Sequence, residues 1–460
     1  MNRLTVKDHL GYSIGSIGDS LVYTFIGSFL MFFLTTVAGI EPAAAGVITA
    51  VGAVWNAVFN PVIGYLSDKV FTRMGRRRPL IIGFSLPLAL SIFLLFTDLP
   101  LHGAVKAIYY GLMTIMFWTT YTGYYVPYCA LGAEYTSDYD DRTKLRLFAA
   151  VFNIIGTIFS MALPTVMVDT LMNKGLSLDG AWSVVGLVMG VVATTSIIIT
   201  FFASKKKDPP VSKPEELGSE KLDIKSLFIE YIAIARLKPA LYLIIISIAS
   251  LICSTLILSN IVYFFTYNLE FEAGEISAFL VTRSLFGLAL VPILGKTVKL
   301  LDKRGAVIFY YLLGAAGMII MDVLSIWNMA TAVIYMLVAA VCTTIYWDIV
   351  PSFYYDLCDY DKAKNGKDRQ GMIVSFQGLV QAIASGMGTL LLGFILQLCG
   401  FNGEAAVQSE HTMVWIQHTA TVIPVLMLML AAFMVYKYPI SRKMHAELLE
   451  EIAQHEAAQK

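Results

Sequence analysis

Charge is the scarcest commodity in this chain. Asp, Glu, Lys and Arg together make up 14% of its 460 residues, against about 25% in a soluble domain. That deficit excludes an ordinary soluble globular protein. The formal net charge is zero, which leaves no basic excess for a nucleic acid. The five cysteines, Cys129, Cys253, Cys342, Cys358 and Cys399, contain no Cys-x-x-Cys pair, so neither a disulfide framework nor a zinc site is expected. The six histidines show no metal-ligand spacing. No nucleophile–base set appears either, so the chain is not expected to be an enzyme or to hold a cofactor. No cleavable leader is expected, because Met1 to Leu10 is polar and the first apolar run already has spanning length.

What the chain has in quantity is apolar length. Hydrophobic residues reach 57% and the mean hydropathy is +0.70. Runs of roughly 20 apolar residues recur, enough to cross a bilayer as helix. Only helices and closed barrels satisfy their backbone in lipid, and these runs are too long and continuous for barrel strands. The expectation is an all-α polytopic membrane protein with twelve transmembrane helices. The segments are 10–37, 42–68, 79–98, 105–133, 143–168, 180–203, 239–267, 273–295, 306–325, 328–357, 370–399 and 411–436. The termini and the even-numbered loops hold 29 of the 33 Lys and Arg. The odd-numbered loops hold Lys106 and Lys174, and Arg146 and Arg283 fall inside segments. The positive-inside rule then places both termini in the cytoplasm of a multi-pass cell (inner) membrane protein.

The chain divides near its middle. Residues 1–203 form one bundle of six segments and 239–437 a second. Residues 204–238 read as a cytoplasmic linker, with a surface helix after Ser219, and 438–460 as a helix-prone cytoplasmic tail. The two bundles repeat. "NPVIGYLSD" (60–68) and "VPILGKTVK" (291–299) both place Pro-x-x-Gly before a basic loop. "VPYCALGAEYTSDYDDR" (126–142) and "VPSFYYDLCDYDKAKNGKDR" (350–369) share Val-Pro, Asp-Tyr-Asp and a downstream Arg. The matched pairs are the second with the eighth segment and the fourth with the tenth, in one orientation. Two parallel six-helix halves joined by a central linker are the major-facilitator arrangement, in which substrate sits between the halves and one half rocks against the other.

Several polar groups lie where the gate of such a carrier would be. Gly64 permits close helix approach, and Asp68 can pair with Arg73, Arg76 or Arg77 of the following loop as a latch; plain anchoring explains the arginines equally. Asp356, Asp359 and Asp361, at the matching end of the tenth segment, read as gate residues pairing with Lys or Arg of neighbouring loops.

The stretches "GYSIGSIGDSLVYTFIGSFLMFFLTTVAGI", "WNAVFNPVIGYLSDKVFTRMGRRRPLI", "YTGYYVP", "DDRTKLRLF" and "YYDLCDYDKAKNGKDRQG" together resemble the glycoside–pentoside–hexuronide:cation symporters, the melibiose permease-like branch of the major facilitator superfamily. The resemblance runs over nearly the whole chain. It implies sugar contact by Asp19 and Arg146, a carboxylate and a guanidinium that suit adjacent hydroxyls. It also implies a cation site on the second and fourth segments. There the family's Trp-Asp-x-x-x-Asp-Pro is matched by Trp55-Asn56-Ala57-Val58-Phe59-Asn60-Pro61, its further aspartate by Tyr125 and its assisting threonine by Thr122. All three carboxylates are gone. Neutral amides carry no proton and give sodium no negative charge, so sodium coupling through this vestigial or altered site is not expected. Asn56 and Asn60, at i and i+4, share one helix face. They serve as interhelical hydrogen-bonding amides, as substrate contacts or as a residual cation site. The family's sugar-stacking aromatic is matched by Cys129, so a platform must come from elsewhere: Tyr125, Tyr121, Tyr23 and Trp347 are candidates. The lysine of the eleventh segment falls near Gln377.

Two further charges lie within segments, Arg283 in the eighth and Asp348 in the tenth, and intramembrane charge is functional by default. They form a structural ion pair, or they serve substrate recognition or proton coupling. Three functions follow for comparison. One is a carrier of a glycoside, pentoside or hexuronide, proton-coupled or uncoupled. Another is a carrier of a non-sugar amphipath such as a lysolipid or secondary metabolite. The third, a transport-incompetent receptor, has little in its favour, since no signalling domain is appended. A monomer in the lipid bilayer, with a small-molecule partner, is expected.

Overall fold

The computed structural model describes residues 4–69, 72, 74–135, 139–206, 224–366, 369–405 and 407–458. Among them there is no strand; the chain is a succession of long helices. The first span begins with α1 (Val6–Ser13), nucleated by a capping box in which Thr5 and Asp8 satisfy each other's backbone N–H. It continues as α2 (Gly15–Phe32) and ends in one π turn, Phe33–Val37. Next come α3 (Pro42–Lys69), α4 (Arg78–Leu95), α5 (Gly103–Glu134), α6 (Tyr139–Asn173) and α7 (Leu178–Ala203). A short surface helix, α8 (Ile224–Ala235), precedes α9 (Lys238–Tyr263), which again ends in a π turn, Phe264–Asn268. The chain closes with α10 (Ala273–Leu324), α11 (Met329–Asn365), α12 (Gln370–Leu398), α13 (Glu410–Ala420), α14 (Val422–Lys437) and the tail helix α15 (Arg442–Ala458).

The twelve apolar segments are all helical, and the surface helix and the helical tail are both present. Ten stretches are long and apolar enough to cross a membrane among the described residues. α5 falls short, and for that segment the expected crossing rests on helicity rather than hydropathy. α5 is diluted by Tyr109, Tyr110, Thr114, Thr119, Thr120 and Thr122. The connection expected at 296–305 is itself helical. Its Lys, Leu and Arg residues are good helix formers, and the chain turns between spans at Asp302 alone, the one residue of α10 with non-helical torsions (φ 64°, ψ 166°).

The internal repeat is visible in the backbone. The opening spans of both halves end in a π turn, and the matched prolines, Pro61 with Pro292 and Pro127 with Pro351, all sit inside helices. The hydrogen-bonded contact between the halves, among the described residues, lies toward one side. The twelve crossings expected from the sequence put both chain ends on one face, the terminal side. Among the described residues, the hydrogen bonds that join the halves lie at mid-depth or toward the opposite side. Thr35 and Tyr263 share a 2.6 Å bond between the two π-turn regions. Ser259 donates to the Gly27 carbonyl at 3.2 Å. Ser277 donates to the Ala162 carbonyl at 2.9 Å and lies 2.5 Å from the Thr165 hydroxyl. One apolar core runs unbroken across this contact, from Phe29 and Phe33 to Tyr263, Phe264, Leu392 and Phe401. The core nearer the terminal side, around Tyr311, Tyr346, Tyr354 and Tyr438, belongs to the second half alone. On that side a Cβ added to exposed Gly378 of α12 would meet nothing. The halves therefore enclose a cleft open toward the terminal side.

Candidate functional site

Asp19 stands on α2, in the middle of the first span, and is half-buried. α5 is tied alongside it by phenols: Tyr124 donates to the Gly15 carbonyl at 2.8 Å and Tyr128 to the Tyr12 carbonyl at 3.1 Å. One turn along, Tyr121 donates to Asp19 Oδ1 at 2.7 Å. A carboxylate offers about four lone-pair sites, so this bond fixes Asp19 while leaving acceptors for a ligand. Around it stand flat rings. Tyr125 stacks on Tyr121 (centroids 5.4 Å apart, planes 10°). Tyr23 lies 6.0 Å from Tyr121 and 6.0 Å edge-on from Trp118. Trp118 packs edge-on against Tyr121 at 5.5 Å. Tyr23, Tyr121 and Tyr125 thus stand in one aromatic cluster beside Asp19, and Trp118, which the sequence reading missed, belongs to it. Its signal was positional: it precedes Tyr121 by three residues on one helix face.

Asn56 of α3 meets α5, with Asn60 one turn along the same helix. Thr122 donates to Asn56 Oδ1 at 2.7 Å, and the Asn60 amide approaches the same oxygen at 3.4 Å. A few residues along, the Trp55 indole donates to Thr119 at 2.8 Å. Asn56 thus acts as an interhelical tie, and Asn60 is bonded to it within α3. All the groups assembled there are neutral. Close approach of α3 to α5 comes from Gly52, where a Cβ would crowd Trp118 at 2.7 Å. Gly64 does not supply it, because a Cβ there would stand 4.0 Å from Val126, an ordinary contact.

In the second half, Arg283 of α10 donates through Nη2 to Thr343 of α11 at 3.0 Å, and its Nε is buried without a partner. Among the described residues no carboxylate lies within ion-pair distance of it, so the Arg283–Asp348 pair does not form. Asp348 follows Thr343 by five residues, which turns it to another face of α11; it is exposed. Trp347, one turn from Thr343 on the same face, is 48% exposed. Gln377 is buried, which removes it from the open cleft in this state. Arg146 lies in α6, but its side chain is outside the described residues, as are the Asp68 side chain and Arg73.

At the terminal side the carboxylates of α11 are paired within their own half. Lys303 meets Asp356 at 2.8 Å, and His445 of the tail helix meets Asp359 at 2.9 Å. As gate residues between halves they are therefore disengaged here, as a cleft open on this side requires. Arg77 donates to Ser67 at 2.6 Å, and Arg78 to the Phe201 carbonyl at 3.0 Å, both within the first half. Arg76 also lies in this loop. Asp361 is fully buried and accepts from Arg369 Nε at 2.6 Å and from Asn365 at 2.7 Å, while Arg369 also reaches Glu230 of α8. Arg369→Ala strands the buried carboxylate, a loss of about 3–5 kcal/mol. Thermal unfolding in detergent will show a larger drop for Arg369→Ala than for Asp361→Asn, which removes the charge together with its need for a partner.

Comparison with known proteins agrees with this architecture. The family profile described as MFS/sugar transport protein matches residues 11–442. The isoprimeverose transporter of Lactiplantibacillus pentosus is 25% identical, over 99% of this chain and 94% of the relative. The sodium-dependent lysophosphatidylcholine symporter 1 of Mus musculus is 22% identical, over 96% and 87%. The inward-facing, unoccupied structure of a bacterial homologue of the human lysosomal transporter Spinster superimposes with a TM-score of 0.67 at 14% identity, covering 97% of each chain. That likeness shows the major-facilitator fold. The chain belongs to the MFS/sugar transport protein family and is a membrane transporter, not an enzyme.

Proposed function

We propose that the chain carries a sugar or glycoside across the cell membrane by alternating access, without sodium coupling through the α3–α5 pocket. The observation that carries this reading is Asp19, held by Tyr121 within the cluster of Tyr23, Trp118 and Tyr125. A fixed carboxylate accepts from paired hydroxyls, and a flat aromatic surface receives the apolar face of a pyranose ring. The name of the isoprimeverose transporter points the same way. The lysine and arginine distribution supports cytoplasmic termini; with that orientation the cleft faces the cytoplasm. Substrate is then released on that side and the halves rock to expose Asp19 to the other. Arg146 completes the sugar site from α6, and Asp19 or Asp348 supplies any proton coupling.

Counterflow of labelled glycosides in proteoliposomes tests the reading, with and without sodium and proton gradients. Exchange proceeds in the absence of sodium, and a sodium gradient leaves its rate unchanged. Sodium-stimulated uptake that is lost in Asn60→Ala would show instead that the amides coordinate the ion. The name of the mouse relative supports a second reading, a lysolipid. Competition of lysophosphatidylcholine against bound label, with no competition by any sugar, would favour it.

A further inference from the structure

Arg283 is the intramembrane charge that the proposed function leaves without work. Its depth can be read from a chain of contacts across the interface. Ser160 of α6 donates to the Leu21 carbonyl of α2 at 2.8 Å. The next residue, Met161, accepts at its sulfur from Ser284 of α10 at 3.2 Å. Leu21 follows Asp19 by two residues and Ser284 follows Arg283 by one. Asp19 and Arg283 therefore sit within about a helical turn of the same depth, one in each half. Arg283 is attached to the neighbouring helix only through one neutral hydroxyl, Thr343, and its Nε is buried with nothing to donate to. Uncompensated charge at this depth is costly, and an anion that neutralises it and takes the free donors would recover that cost. The structural alternative, a resident carboxylate, is absent among the described residues.

We propose that Arg283, with Thr343, is a subsite for the anionic group of the substrate, and that the substrate is an acidic glycoside. Its carboxylate faces Arg283 in the second half while its ring hydroxyls face Asp19 in the first. This deepens the sugar-carrier reading and rests on it. One ligand then touches both halves, so its binding pulls them together around it. A neutral sugar leaves the guanidinium unsatisfied. A charge-assisted hydrogen bond of this kind corresponds to about ten- to hundredfold in affinity.

The test uses the full chain in proteoliposomes and four pairs of probes: free and nitrophenyl-linked glucuronate and galacturonate, each against its neutral hexose counterpart. The readout is the ratio of acid to neutral in competition against exchanging label. The wild type is expected to prefer at least one acid by about tenfold or more. Arg283→Gln brings that ratio to near one, and Arg283→Lys, which keeps the charge but not the fork, retains part of it. A wild-type ratio near one for every pair, with the neutral sugars still competing, overturns this inference alone. A preference that survives in Arg283→Gln does the same. Failure of every sugar, acid and neutral, overturns the sugar-carrier reading as well. Lysophosphatidate serves as the other source of an anion, and its competition where the uronates fail overturns the acidic glycoside.

Discussion

Gly393→Val is expected to reduce transport by about ten- to hundredfold while leaving the protein folded. α12 and α3 touch backbone to backbone where the halves meet on the side opposite the termini. A Cβ on Gly393 would collide with the Pro42 carbonyl oxygen and lie 2.9 Å from Gly46 Cα. Gly46 faces the same contact from the other helix, with Gly393 Cα and Leu390 Cα each 3.2 Å from its own Cβ position. Backbone cannot swing aside as a flexible side chain can, so the helices must separate. Overpacking of this kind costs about 1–3 kcal/mol, and the cost falls on the state in which this side is closed. Since 1.4 kcal/mol is tenfold in a population, the cleft open to the terminal side becomes a minority state. The halves within themselves are untouched, so stability is spared. Thiol labelling of cysteines introduced on each side reads the shift: reagents on the side opposite the termini gain access and those on the terminal side lose it. Unchanged labelling together with unchanged transport would mean that this glycine contact does not hold the closed face.

Much of this architecture was legible in the sequence, because hydropathy over some twenty residues is a strong signal and the paired Pro-x-x-Gly and Val-Pro stretches give away the repeat. The π turns at Phe33–Val37 and Phe264–Asn268 were not legible, because they are backbone events with no composition of their own. Nor was the helical path through 296–305, because a cluster of basic residues between two apolar runs has the composition of a loop. At the site, the neutral pair Asn56 and Asn60 stood out by residue type and spacing, whereas Asp19 entered as what the resemblance to the symporter family implies. What spacing could not give was the partner. Arg283 and Asp348 look like a natural pair along the chain, yet Arg283 turns to Thr343 instead. Asp356 and Asp359 announce a gate, but their partners here, Lys303 and His445, come from distant segments that spacing does not single out.

Asp19→Asn should separate stability from function. The substitution keeps the size of the side chain and one oxygen for the Tyr121 hydroxyl at 2.7 Å. It removes the negative charge and replaces an acceptor by a donor. A half-buried carboxylate whose protein hydrogen bond here comes from a phenol is costly to keep in the spans. The variant is therefore expected to unfold in detergent at the same temperature as wild type or above it. Binding responds the other way. A ligand that donates two hydroxyls to the carboxylate loses charge-assisted bonds, about ten- to hundredfold in Kd. Tyr121→Phe leaves the charge but frees the carboxylate to rotate, so its loss is smaller. Titration calorimetry with the glycoside that competes best in counterflow compares the three proteins at once. A merely structural Asp19 would give the reverse pattern, a lower melting point with unchanged Kd. If Asp19→Asn keeps wild-type affinity, the carboxylate does not touch the substrate, and the cluster around Tyr121 is a packing core rather than a sugar platform.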